Sequence, residues 1–134
     1  MDSENYFQVY TSRRPQYKSR VERQIGDLLA ERQIPFIYEK PTAVMDNGKL
    51  KIWYPDFSLQ CGPLVEYFGI TGDRDYIQRT RHKLRVYHAN QLDTIPVYPS
   101  DIIPNWQEQL MARIGTVLEN RLRVLRQPCW RMTS

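Results

Sequence analysis

A chain of 134 residues, 41% apolar or aromatic and 25% charged, fits one globular domain able to bury a sizeable core. No apolar run is long enough to span a bilayer and the first thirty residues hold no signal-peptide core, so no membrane association and an intracellular, cytoplasmic location are expected. The net charge of +4, carried by fourteen Arg and five Lys, suggests a phosphate-bearing partner. Cys61 and Cys129 have neither the number nor the spacing of a zinc site and receive no role.

Residues 1–18 show no sustained period. They interleave Tyr6, Tyr10 and Tyr17 with Arg13, Arg14 and Lys18, an irregular basic arm that could follow a nucleic-acid backbone or simply be a solvated terminus. Ser19 to Glu22 has the form of a capping box, and Val21, Ile25, Leu28 and Leu29 then predict a helix over 20–32. Glu22 has two open readings, as the partner of the Ser19 backbone N–H or as an acid turned toward a metal site. A short strand follows from Phe36, continuing loosely through Val44, and Asp46-Asn47-Gly48 is a hairpin turn.

The next two strands, Leu50 to Leu59 and Leu64 to Phe68, carry the most informative residues. Their turn, Gln60-Cys61-Gly62, ends on the glycine that a three-residue hairpin loop needs. Pairing symmetric about Cys61 sets Asp56 opposite Glu66, with Cβ atoms about 4.5 to 5.5 Å apart. Facing like charges destabilise a sheet, and burial among apolar neighbours enlarges the penalty, so a compensating divalent cation such as Mg²⁺ is the expected occupant. A surface hairpin with both acids solvated or paired with Lys49, Lys51 or a nearby Arg is the other reading these residues allow. Pro55 cannot donate to a ladder, which places it at a bulge or an unpaired position.

Asp73 caps a second helix over 74–89, where Tyr76, Arg79 or Thr80, Lys83 and Tyr87 share one face. Thr94 to Tyr98 is a further strand. A last helix opens at Pro104-Asn105 with Trp106, Leu110, Ile114, Val117, Leu118, Leu122 and Leu125 as one apolar stripe, expected to pack on the sheet with any excess serving a dimer. Residues 127–134 read as a tail. The predicted class is α/β, a mixed central sheet of about four strands flanked by helices in the order helix, three strands, helix, strand, helix, all in one domain.

This order resembles the core of the PD-(D/E)xK, or restriction-endonuclease-like, nuclease superfamily. Pro55-Asp56, Glu66 ten positions later and Glu22 in the first helix carry the likeness. So does the succession of Tyr54 to Phe57, Glu66 to Gly69, and Tyr76 through Lys83 to Tyr87, over roughly residues 19–118. The resemblance implies Asp56, Glu66, the backbone carbonyl of Tyr67 and Glu22 through water as ligands of Mg²⁺, with Mn²⁺ as a substitute. It also implies a lysine at position 68, where this chain has Phe68. Lys83 is the candidate replacement, with Arg79 the second choice.

The resulting expectation is a metal-dependent DNA endonuclease, structure-specific and acting in repair or recombination, with Asp56, Glu66, Lys83 and Glu22 catalytic. Arg13, Arg14, Lys18, Tyr76, Arg79 and Tyr87 are the expected nucleic-acid contacts. Cutting both strands needs two sites, so a homodimer is expected. The competing expectation is a catalytically inactive nuclease-fold adaptor, for which Phe68 is the best support. A metal-independent hydrolase finds no support, since His82 and His88 lie on different helix faces and no nucleophile turn or phosphate loop is present.

Overall fold

The computed structural model describes residues 15–126. Arg13, Arg14, most of the predicted arm and the tail 127–134 lie outside the described residues. The described chain is mixed α/β: α1 (Arg20–Glu31), β1 (Phe36–Tyr38), β2 (Thr42–Asp46), β3 (Lys49–Trp53), β4 (Phe57–Leu59), β5 (Leu64–Tyr67), α2 (Arg74–Ala89), β6 (Thr94–Val97), a 3₁₀ turn (Pro99–Asp101) and α3 (Trp106–Leu125).

Four strands form the main sheet in the order β1-β4-β5-β6, antiparallel except for the parallel β5–β6 pair that α2 connects. Strands β2 and β3 form a separate two-stranded ribbon. Two predicted strands are therefore broken in two. Glu39, at a φ of 53°, turns the chain between β1 and β2. At Tyr54-Pro55 the missing proline N–H ends β3, and the chain leaves the ribbon to enter the main sheet as β4. The Asn47-Gly48 turn takes φ values of 52° and 79°, the paired left-handed conformation of a two-residue hairpin.

Alternation along the strands sorts the chain onto two faces. Phe36, Phe57, Leu59, Val65, Ile95 and Val97 turn to one face and pack with Ile25, Leu28 and Leu29 of α1 and Leu110 and Ile114 of α3. Leu64 turns to the other, where Val86 and Tyr87 of α2 and Val44 of the ribbon meet it. Tyr17, assigned by sequence to the arm, packs against the first cluster, its ring 4.9 Å edge-on from Tyr38.

The ends of the helices follow their sequence signals. Ser19 Oγ accepts the Glu22 N–H at 3.1 Å and Asp73 Oδ1 accepts the Asp75 N–H at 2.9 Å. Along α3 the apolar stripe divides: Leu110 and Ile114 are buried, whereas Leu122 and Leu125 are 51% and 80% exposed because the helix runs past the sheet it covers.

Candidate active site

The β4–β5 register pairs Phe57 with Val65 and Ser58 with Leu64, so the next pair out is Asp56 with Glu66. Both side chains share the face of Leu64, toward α2. The ladder stops at this pair, and side-chain bonds replace it. The Asp56 N–H donates to Glu66 Oε1 at 3.2 Å, and the Tyr67 N–H donates to Asp56 Oδ2 at 2.8 Å. The two carboxylates are thereby cross-linked through the backbone of the opposite strand.

Glu66 is 2% exposed, and among the described residues neither its Oε2 nor the buried Tyr87 hydroxyl makes a hydrogen bond of ordinary geometry, although the charge of Glu66 and a hydrogen-bonding contact with it both raise the Tyr87 phenol. A buried carboxylate oxygen so placed is energetically costly and is the donor type a hard divalent cation takes. Burial, and then the charge of Glu66, push the Asp56 carboxyl up to about 7. The Phe68 N–H is bonded to Val97 of β6, so the N–H and carbonyl of Tyr67 face the opposite edge, on the Asp56 side. The Tyr67 carbonyl is thus on the same edge of β5 as the bonded Asp56 carboxylate. Among the described residues no group of three or more His, Cys, Asp or Glu side chains is arranged to hold a metal.

A cation approaches the carboxylate pair from α2. Lys83 Nζ lies 3.5 Å from Glu66 Oε1 and 6.0 Å from the centre of the Phe68 ring. The site opens into a cleft of about 760 Å³ lined by Asp56, Glu66, Lys83, Tyr76, Arg79 and His82 among others. Arg79 stacks over the Tyr76 ring at 5.8 Å, so these two expected nucleic-acid contacts stand together on the cleft wall. Burial, and then the charge of Asp56, push the Tyr76 phenol above its ordinary value.

One expected site residue needs correction, and two others stand beside partners the sequence did not show. Tyr87 is fully buried and cannot touch nucleic acid; its bulk packs with Val44, Leu64 and Val86, and its ionisation is suppressed by burial and then by the negative charge of Glu66. Glu22 is buried with both oxygens occupied, Oε2 by the Ser19 hydroxyl and Oε1 by the Tyr38 hydroxyl, each at 2.6 Å. Its charge is felt at Asp56, and each oxygen keeps a second lone pair for the water through which it is expected to act. Lys18 is exposed, but its ammonium pairs with Glu39 at 2.6 Å.

A second polar cluster escaped the sequence reading. Asp46, assigned to a turn, is buried at the end of β2, with Lys51 Nζ at 2.8 Å and His82 Nε2 at 2.9 Å from its Oδ2. Those contacts, Lys51 first, hold its carboxyl below the usual carboxylate range. The His82 contact joins residues 36 positions apart, so no local period could signal it. Asn90 adds a two-way backbone clasp, accepting the Met45 N–H at 2.9 Å and donating to the Met45 carbonyl at 3.0 Å. The ribbon is thus fixed rigidly to α2 beside the cleft.

No protein-family model, curated protein or solved structure matches the chain. The candidate site therefore stands on its own geometry.

Proposed function

We propose that this protein is a divalent-metal-dependent DNA endonuclease with a restriction-endonuclease-like core, hydrolysing phosphodiester bonds with Mg²⁺ or, in its place, Mn²⁺. The observation that supports this reading most is the facing Asp56/Glu66 pair, with a buried oxygen on Glu66 that makes no hydrogen bond of ordinary geometry among the described residues and Lys83 standing 3.5 Å from the other. Two acids held together at an energetic penalty make chemical sense as a cation site. Asp56, Glu66 and the Tyr67 carbonyl are the groups that would hold the ion, with Glu22 contributing charge behind them. A bound divalent ion would polarise the scissile phosphate and lower the pKa of a coordinated water.

The remaining groups act on the substrate directly. Lys83 supplies positive charge where negative charge grows on the phosphoryl oxygens, a contribution that is large in a partly dehydrated cleft. Arg79 and Tyr76 grip the neighbouring backbone and fix the scissile bond over the carboxylates. Cutting two strands would need two copies of the site, which a homodimer provides. In the competing reading, a non-catalytic adaptor, Phe68 marks a lost site; the approach of Lys83 to Glu66 from α2 speaks for the nuclease instead.

The test is cleavage of end-labelled single-stranded, duplex, flap, fork and four-way DNA with Mg²⁺, Mn²⁺ or chelator, comparing the native chain with Asp56→Asn. Metal-dependent cutting that disappears in the variant is the expected result. Cutting that survives the substitution would remove the metal-site assignment, and binding without cutting under any condition would favour the adaptor.

A further inference from the structure

The groups assigned to the reaction so far hold an ion or carry positive charge, and none of them takes a proton from the attacking water. Asp56 and Glu66 face the ion, Lys83 is a cation, and the Tyr76 phenol keeps its proton more firmly than an ordinary tyrosine because of burial and then Asp56. Asp75, the other acid on the cleft wall, is exposed in the first turn of α2. Among the described residues of the wall, that leaves His82.

The imidazole is held from two sides. Its Nε2 lies 2.9 Å from Oδ2 of the buried Asp46, and the Trp53 indole meets the ring edge-on with centres 6.4 Å apart. Lys51 bonds the same oxygen at 2.8 Å, and the two contacts, Lys51 first, hold the Asp46 carboxyl below the usual range, so Asp46 is ionised and can only accept. Nε2 must therefore carry the hydrogen. In the neutral ring this leaves a lone pair on Nδ1, on a half-exposed side chain that lines the cleft. Lys51 already balances the charge of Asp46, so neutrality alone does not call for an imidazole here. The next residue, Lys83, reaches to 3.5 Å from Glu66 Oε1, and successive side chains on a helix diverge by about 100°. Lys83 thus turns toward β5 and His82 toward the ribbon, on two sides of one cleft.

We propose that His82 is the general base of this cleft: with Nε2–H held by Asp46, its Nδ1 takes a proton from the water that attacks the scissile phosphate. Asp46 is the positioning residue that fixes the tautomer. The assignment rests on the nuclease reading and supplies its proton acceptor. As the water oxygen bonds to phosphorus, one of its protons passes to Nδ1; the bond from phosphorus to the leaving ester oxygen breaks, and that oxygen takes a proton from solvent. The imidazolium then returns its proton to solvent, so one water is consumed and the ring ends neutral. The charges that bear on the ring are Asp46 and Lys51 of the ribbon, Arg79, Lys83 and Arg85 of α2, and Asp56 and Glu66 in the cleft. Because Asp56 itself is pushed up to about 7, the pH dependence is read at saturating Mg²⁺, where bound metal keeps it ionised.

Two measurements test the assignment. ¹⁵N NMR of the full chain without metal reads the tautomer in mildly alkaline buffer: a protonated Nε2 and a bare Nδ1 are expected, and a proton on Nδ1 overturns the proposal. Single-turnover cleavage across the neutral pH range then compares the native chain with His82→Gln, whose amide can still donate to Asp46. The variant is expected to be about 10²- to 10³-fold slower with an unchanged Tm, and to lack the bend that the native profile shows at the pH where NMR titrates the ring. A variant as fast as the native chain overturns the proposal. So does one slowed by the same factor at every pH, which would make His82 a phosphate contact or a ribbon clasp. Should His82→Gln fail to fold, the tautomer and the native bend carry the test, and absence of either overturns it. Failure of the nuclease reading looks different: no metal-dependent cleavage by the native chain, or cleavage that survives Asp56→Asn. Cleavage that needs Asp56 and not His82 sinks this proposal alone.

Discussion

Replacing Asp56 by Asn should make the metal-free protein more stable and metal-blind at the same time. Asparagine keeps an oxygen for the Tyr67 N–H and gains an amide that can donate to Glu66, while the charge that Glu66 opposes is gone. Asp56 is pushed up to about 7 by burial and then by Glu66, roughly three units above an ordinary aspartate, which corresponds to at most about 4 kcal/mol. Because the side chain is only half-buried, water screens part of this, and a gain of about 2 kcal/mol is expected at pH 8. For a domain of this size that is a rise in Tm of about 6 to 10 °C. The sign with pH follows from the raised folded pKa. The stability linked to the Asp56 proton is fully present below the unfolded value of about 4 and is lost as pH rises through about 7. The gap between Asn variant and native chain should therefore be near zero at about pH 4 and widen toward pH 8. Thermal melts in chelator across that range are the assay, repeated with saturating Mg²⁺, which should raise the Tm of the native chain alone. An Asn variant no more stable than the native chain at pH 8, or a gap that does not grow with pH, would refute the claim that the two carboxylates oppose each other in a shared buried site.

Lys83→Ala should lower the cleavage rate about 10²- to 10³-fold while leaving Mg²⁺-induced stabilisation in place, as removal of one transition-state donor does; single-turnover cleavage and melting curves check the two halves. Tyr76→Ala should weaken DNA binding with little effect on Tm, whereas Tyr87→Ala, which empties a fully buried site, should cost about 3 to 5 kcal/mol in denaturant unfolding. Glu22→Gln should reduce Mg²⁺ affinity by less than about tenfold in calorimetry, a smaller effect than Asp56→Asn, because both Glu22 oxygens are already bonded to Ser19 and Tyr38 and a charge not in direct contact is worth about 1 kcal/mol.

Much of this site is legible in the sequence, because it depends on local rules. Alternation along Phe57–Leu59 and Leu64–Tyr67, together with a loop ending on Gly62, fixes the register, and the register alone makes Asp56 and Glu66 neighbours. The helical spacing of Tyr76, Arg79 and Lys83 likewise forces a common face. Ser19, Asp73 and the Asn47-Gly48 turn mark element ends through their own backbone chemistry.

The tertiary structure decided what depends on which surfaces meet. Spacing groups Tyr87 with Lys83, yet one lies inside the second core cluster and the other reaches the cleft, since a helix face a few residues wide spans both buried and open ground. Glu22 could cap or ligate on local grounds; the arrival of Tyr38 from β1 and the Ser19 hydroxyl settles where its oxygens point. A run of strand-forming residues from Leu50 to Leu59 carries no mark of belonging to two sheets, and the division at Pro55 appears only once β3 pairs with β2 and β4 pairs with β1 and β5. Asp46 meets His82, and Asn90 meets Met45, across 36 and 45 positions of sequence. Periodicity records what a residue's immediate neighbours do, and these contacts arise from packing whole elements together.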